Sequence, residues 1–247
     1  MDEYNPLSNS FLKENYVIVQ EQLKKQAEQY GAEVWYKPLE DITPKSVLIE
    51  LEEKEIQELI NNHTLSKEKE DLLTNYLKEG YGFIKSSKKS SHSFKKCTTY
   101  EDCLEELTHP QIIMSFKKGC KYIFMRQFME NICSEFRVYI YQNKIKYMEE
   151  YLKQEKIEQN MEEVKNSIIE FVEKKVIPRL SSTYQDFVVD LFYLKNKNFL
   201  VIEVNTPLYL HCGTHLIDYD WEKHSIHASG EKIIFRYKNE KEEIEEI

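Results

Sequence analysis

Asp190, Glu203 and Asn205 are the residues whose types and spacing most directly imply chemistry. They lie in Phe187 to Asn205, FVVDLFYLKNKNFLVIEVN, where two β-branched and aromatic runs flank the polar loop Lys195-Asn196-Lys197-Asn198. If the runs pair about a centre between Asn196 and Lys197, Val189 faces Val204, Leu191 faces Ile202 and Tyr193 faces Leu200, which makes an apolar core side. The other side then sets Asp190 across from Glu203, with Asn205 two residues further along the same face. Like charges directly opposite each other destabilise a sheet, so the arrangement points to a cation between them. Two carboxylates and a carboxamide oxygen are hard ligands suited to magnesium, which fills the rest of its shell with waters and phosphate oxygens. The plainer alternative is a solvated strand face with one screened carboxylate pair.

If phosphate binds here, side chains must hold it, because the chain has neither a P-loop nor a dinucleotide-type glycine fingerprint. Lys85, at the end of a strand-like run, and Arg126 and Arg137, within others, are the candidates: a point charge and two planar forks. Taken singly, each reads more readily as a surface ion-pair residue than as a phosphate ligand, and they gain weight only together with the acidic hairpin. A separate group, His211-Cys212-x-x-His215 with His224 and His227, contains the ligand types zinc prefers, but its spacing matches no established zinc pattern. Core or surface histidines are the simpler reading, and Cys212 has no evident electropositive setting to activate it.

The elements that must position these residues can be read along the chain. Leu12 to Tyr30 has amphipathic helical spacing ended by Gly31, and the aromatic Val34-Trp35-Tyr36 reads as a strand. Ser46 to Leu51 is a strand, Glu53 to Asn61 a helix, and Asn62 to Asp71 a loop or helix start before helical Leu72 to Lys78. Tyr81 to Lys85 is a strand leading into the loop Ser86 to His92, and Thr99 to Thr108 is a short acidic helix. Ile112 to Phe116, Tyr122 to Phe128 and Glu135 to Tyr141 read as strands, the last turning through Gln142-Asn143 into Lys144 to Met148. Tyr151 to Ile177 becomes helical toward its end, with Pro178 stopping it. Lys238 to Ile247 reads as an acidic, solvated tail.

Composition bounds the function. The 247 residues, 41% hydrophobic and 13% aromatic with six glycines and six prolines, describe a globular chain able to bury a large core. A net charge of -9 argues against a broad nucleic-acid or anionic-membrane surface. No apolar run is long enough to span a membrane, and the first residues, MDEYNPLSNS, have no signal-peptide character. Five cysteines without a CxxC pair make a disulfide framework unexpected, so a reducing cytoplasm is the expected compartment.

The ordered series Trp35-Tyr36, Lys45-Ser46-Val47, Phe83-Ile84-Lys85, Met125-Arg126-Gln127-Phe128, Glu135-Phe136-Arg137-Val138-Tyr139, Val189-Asp190 and Glu203-Val204-Asn205-Thr206-Pro207, followed by Trp221, resembles the cell-division-cycle protein 123 family. The resemblance runs from about residue 34 to about residue 222. It implies an α+β, two-lobed ATP-grasp-like fold with mostly antiparallel sheets flanking a nucleotide cleft. The smaller lobe would span about residues 45–128. The larger would span 129–237 with the N-terminal segment, and 238–247 would form the tail. It also implies binding of ATP with magnesium and, as in eukaryotic members, assembly of translation initiation factor 2 by a monomer that contacts no nucleic acid directly.

Residue by residue, the resemblance has Lys85 and Arg137 contact phosphates. The strand Arg126-Gln127-Phe128 runs beside the adenine, and Asp190, Glu203 and Asn205 carry magnesium at the ATP site. This chain departs from the family in three places: Glu203 stands where an aspartate is usual, the loop after Lys85 lacks the usual tryptophan and proline, and Tyr147-Met148-Glu149-Glu150-Tyr151 replaces a segment with a basic residue. Two other functions share the same residues. One is an ATP-grasp ligase that activates a carboxylate as an acyl phosphate; the other is an interaction module with a vestigial cleft. Substrate-dependent ADP release would mark the ligase, and absence of nucleotide binding the module.

Overall fold

The computed structural model describes residues 29–88, 95–157, 159–206, 219–220, 225–226, 233–239 and 243–247. The helix expected over Leu12 to Tyr30 lies, but for its last two residues, outside them. The described chain opens on helix α1 (Ala32–Leu39). A strand was expected over Val34-Trp35-Tyr36, and helix forms instead because Ala32, Trp35, Tyr36 and Leu39 recur at i, i+3, i+4 and i+7 and are all buried. Aromatic β-propensity gives way to a buried helical stripe.

Strands β1 (Ser46–Glu50), β2 (Gly82–Ser86) and β3 (Tyr122–Gln127) form an antiparallel sheet in the order β1-β3-β2. Four helices, α2 (Glu53–Asn62), α3 (Lys67–Leu77), α4 (Tyr100–Leu107) and α5 (Pro110–Lys117), share a core with Ile49, Ile84, Ile123 and Met125 of this sheet. α5 corrects the strand expected over Ile112 to Phe116. Pro110 fits a first helical turn, and the His109 ring accepts from the backbone N of Gln111 at 3.4 Å. Ile112 and Phe116, four residues apart, are both buried, and Gly119 follows the helix at φ 89°. Phe124, on the opposite face of β3, meets Trp35 and Tyr36 edge-on, with ring centroids 5.7 and 5.3 Å away.

The second sheet is larger. β4 (Ile132–Tyr141), β5 (Lys144–Lys153), β6 (Phe187–Leu194) and β7 (Phe199–Asn205) belong to it, while β8 (Tyr219–Asp220) and β9 (Ser225–Ile226) pair separately. With β10 (Ile234–Lys238) and β11 (Ile244–Glu246) the order is β11-β10-β5-β4-β6-β7, antiparallel except where β10 meets β5. Helix α6 (Met161–Phe171), a π-helical turn at Val172–Val176 and α7 (Ile177–Leu180) contribute Val164, Ile168, Val172 and Leu180 to the core against this sheet. That core also holds Phe136, Val138, Val189, Leu191 and Val204.

The long helix expected from Tyr151 is corrected at both ends. β5 continues to Lys153, and helix begins only after Asn160, whose side-chain oxygen accepts from the backbone N of Glu162 at 2.9 Å. Pro178 does not stop it. Proline falls in the first turn of α7, where its missing N–H costs nothing, and the helical path continues to Leu180.

Trp35, Tyr36 and Phe124 belong to the same buried cluster as the core of the larger sheet, so α1 fastens one lobe to the other. The four described cysteines Cys97, Cys103, Cys120 and Cys133 are free, and no helix among the described residues is long and apolar enough to cross a membrane.

The β6–β7 hairpin differs from a symmetric reading in one respect. Val189 pairs with Val204 and Asp190 with Glu203, but Leu191 then faces Val201 and Tyr193 faces Phe199. The expected Leu191–Ile202 and Tyr193–Leu200 pairs are therefore corrected: Ile202 is an extra residue in a β-bulge. The bulge sends Ile202 and Leu200 to the face opposite the main core, where they cluster with Ile132, Phe192 and Leu194.

Candidate functional site

β4 alternates from Ser134 to Tyr141. Phe136, Val138 and Ile140 enter the core, so Glu135, Arg137 and Tyr139 project from the other face. Strand register extends that face into one charged row across all six strands: Glu246 faces Arg236, Arg236 faces Glu149, Glu149 faces Arg137, Arg137 faces Asp190, and Asp190 faces Glu203. The signs alternate until the final pair.

At that final pair the smaller sheet contributes its own charge. Lys85 of β2, buried to 3% exposure, donates its Nζ to Oε1 of Glu203. Arg137 holds Asp190 in a planar fork, Nε to Oδ1 at 2.7 Å and Nη2 to Oδ2 at 2.9 Å, and its guanidinium stacks 4.0 Å from the Tyr151 ring. Asn205 Nδ2 donates to Asp190 Oδ2 at 3.0 Å. Lys85 and Arg137 thus offset the repulsion anticipated between the two carboxylates.

Arg126 is buried between lobes. Its guanidinium lies 4.7 Å from the Phe83 ring and 5.4 Å from that of Phe192, and Nη1 donates to the Ile202 carbonyl at 3.1 Å. Burial lowers the pKa of Arg126, while the charge of Glu203 opposes that shift. Burial pushes Glu203 upward, but Lys85, with Arg126 and Arg137, outweighs it and holds the carboxyl below its ordinary range.

Two further carboxylates complete the face. Burial raises Glu135 to about 7, assisted by the charge of Asp190 and opposed by Arg126 and Arg137. Glu149 is 1% exposed. Its Oε1 accepts from the Tyr139 hydroxyl at 3.0 Å, and its buried Oε2 has no hydrogen-bond partner among the described residues. Burial raises Glu149 to about 7 as well, against the Tyr139 bond and the charge of Arg137.

No family model matches the chain, and no curated protein does. Among solved structures, C-terminally truncated Cdc123 from Schizosaccharomyces pombe superposes with a TM-score of 0.68 at 17% identity, covering 87% of this chain and 97% of that one. This chain has the Cdc123 fold. A second structure of Cdc123 from the same organism gives 0.63 at 18% identity over the same shares of the two chains. A RimK domain ATP-grasp protein from Sphaerobacter thermophilus gives 0.42 at 11% identity, covering 74% of this chain and 60% of that one. The two-lobed α+β architecture with mostly antiparallel sheets expected from the sequence is the one observed.

Within this Cdc123 fold, six of the residues singled out from sequence converge where the sheets meet: Lys85, Arg126, Arg137, Asp190, Glu203 and Asn205. Gln127 and Phe128 stand at the start of the connection between the sheets. Gln127 is exposed and donates its backbone N to the Lys45 carbonyl at 2.7 Å, while the backbone N of Phe128 donates to Tyr81 at 2.9 Å. No group of three or more His, Cys, Asp or Glu side chains among the described residues is disposed to hold a metal. The candidate magnesium set is two carboxylates with an amide. His211, Cys212, His215, His224 and His227 lie outside the described residues.

Glu135 and Glu149 were not among the site residues expected from sequence, although both lie in segments compared with the family. Glu149 was hidden by a register shift between Tyr139 and Ile140, because counting back from the Gln142-Asn143 turn sets Arg137 against Met148. Only the bulge brings Glu149 opposite Arg137.

These two carboxylates predict a pH dependence. Their folded pKa values, about 7, exceed the ordinary 4.5, so the stability they contribute is full below about 4.5 and is lost as pH rises through about 7. Urea unfolding should give a lower midpoint at pH 8 than at pH 5, with Glu149 accounting for on the order of 3 kcal/mol. Glu149→Gln should flatten that fall. A wild-type midpoint that rises between pH 5 and pH 8 would contradict the assignment.

Proposed function

We propose that this chain is an ATP- and magnesium-binding protein of the Cdc123 type, working in the cytoplasm as an assembly factor for translation initiation factor 2. The observation that carries the nucleotide reading is the meeting of Lys85 from one sheet with Glu203 from the other, beside the Arg137–Asp190–Asn205 cluster. The donor chemistry fits. Asp190 and Glu203 offer hard carboxylate oxygens on one face, and Asn205 uses its Nδ2 on Asp190, so its oxygen is the third donor available.

Lys85 and Arg137 are the cations that would turn from carboxylate to phosphate, while Asp190, Glu203 and Asn205 would hold the metal. Magnesium bound there would neutralise phosphate charge and tie the nucleotide to the larger sheet. Nucleotide would then stabilise the arrangement in which both lobes contact it, and partner binding would follow that population shift without turnover being required. The partner assignment rests on the likeness to Cdc123 alone.

Calorimetric titration with ATP, with and without magnesium, tests the reading. Wild type should bind in a magnesium-dependent way, and Asp190→Asn should weaken that binding at least about tenfold, equivalent to about 1.4 kcal/mol. Lys85→Met should weaken ATP binding while leaving the protein folded, since the Glu203 it leaves behind is only partly buried and still faces Arg126. Wild type that binds no nucleotide would leave the interaction-module reading in its place.

A further inference from the structure

The charged row contains one residue that the nucleotide reading does not use. Glu149 faces Arg137 directly in the β4–β5 register, yet the Arg137 fork is turned to Asp190, on the opposite neighbouring strand. Glu149 is left with a buried carboxylate oxygen that has no partner among the described residues. A buried unsatisfied oxygen beside a guanidinium is costly to keep and simple to satisfy by a change of rotamer.

We propose that Glu149 is the second acceptor of Arg137: when Asp190 is claimed by another cation and no phosphate takes the guanidinium, Arg137 turns from Asp190 to Glu149. Glu149 is then a positioning residue, acting on the site through Arg137. This rests on the reading of Asp190 as a cation ligand for its biological meaning, but the exchange itself is a property of three side chains on adjacent strands. It also gives a role to an acidic residue at 149 beside the proposed phosphate site, because a parked arginine needs a carboxylate to receive it.

The groups that face Glu149 set what can be measured. They are Tyr139 and Arg137 from β4, Arg236 from β10, the charge of Asp190 from β6 and, on its own strand, Tyr147 and Tyr151. Arg236 is drawn the other way, its Nε 2.8 Å from Glu246 Oε2. With Arg137 on Asp190, the Glu149 carboxyl holds its proton to near neutrality; with Arg137 on Glu149, it should release it.

The test is the titration of Glu149 in the full chain, followed by NMR of glutamate side-chain carboxyl carbons, the resonance being assigned by its loss in Glu149→Gln. Asp190→Ser stands in for an Asp190 that has given up Arg137, since serine is too short to accept the fork. Its proton affinity at Glu149 should fall by about tenfold or more, one pH unit or more. Removing the Asp190 charge acts through space as well, so the same change is made in an Arg137→Gln background, where it should shift the affinity less than about threefold. An unmoved midpoint in Asp190→Ser, or an equal shift with and without Arg137, would overturn the proposal. Asp190→Ala gives the same comparison if the serine variant is poorly folded. None of these readouts requires nucleotide, so a failure to bind ATP would count against the proposed function and leave this result standing on its own.

Discussion

Replacing Asp190 with alanine should lower the unfolding free energy by about 3–5 kcal/mol, the range seen when one partner of a buried ion pair is removed. The reason lies in what remains. Arg137 is 5% exposed, and without Asp190 its charge loses the fork at 2.7 and 2.9 Å that offsets its desolvation; turning to Glu149 recovers only part of this, because that carboxyl must ionise at a site where burial raises its pKa to about 7. Replacing both residues, Asp190→Leu with Arg137→Met, should recover most of the loss, because the pair's attraction does little more than offset the cost of burying two charges. Both variants should lose magnesium-dependent ATP binding. Urea denaturation of the two single variants and the double variant decides the matter: a double variant as unstable as Asp190→Ala would mean the pair is net stabilising here. Recovery of stability without recovery of binding would show that the pair is kept for function.

The second large effect is expected at Trp35. This side chain is 1% exposed and packs edge-on against Phe124 of β3 within the core of the larger lobe, so Trp35→Ala should cost about 3–5 kcal/mol. Its position adds a consequence that an ordinary core truncation lacks. Beside the polar contacts of Lys85 and Arg126, α1 packs the face of the small sheet into the core of the other lobe, and loosening it should weaken the coupling between the two. Thermal unfolding followed by calorimetry and by tryptophan-independent circular dichroism should change from one transition toward two. A single transition at an unchanged temperature would remove α1 from that role.

How much of this was legible beforehand can be traced to individual residues. The strands of the site were readable because their apolar residues alternate over long runs, and Asp190 opposite Glu203 followed from the symmetry of the loop between them. Apart from the misplaced ends of the helix expected from Tyr151 and the strand β11 formed within the expected tail, the errors came from two sources. Val34-Trp35-Tyr36 and Ile112 to Phe116 are short apolar segments, and whether such a segment is helix or strand is decided by the surface that buries it. Bulges were the other source. One extra residue at Ile202 sent Leu200 and Ile202 to the site face, and another shift in the β4–β5 hairpin brought Glu149 to Arg137. A bulge leaves no mark in a single sequence, since it conserves residue type and changes only the count. The Arg126 contact to the Ile202 carbonyl was unreadable for the same reason.

The charged row has a consequence for how the larger sheet assembles. Apolar alternation has a period of two, so it detects an odd slip between neighbouring strands and is blind to an even one. Move β4 by two residues against β6 and the core face stays apolar, yet Asp190 then meets Glu135 or Tyr139 instead of Arg137. The charges therefore catch the even slips that a parity check by apolar alternation lets through, rejecting misaligned sheets that hydrophobic burial alone would accept.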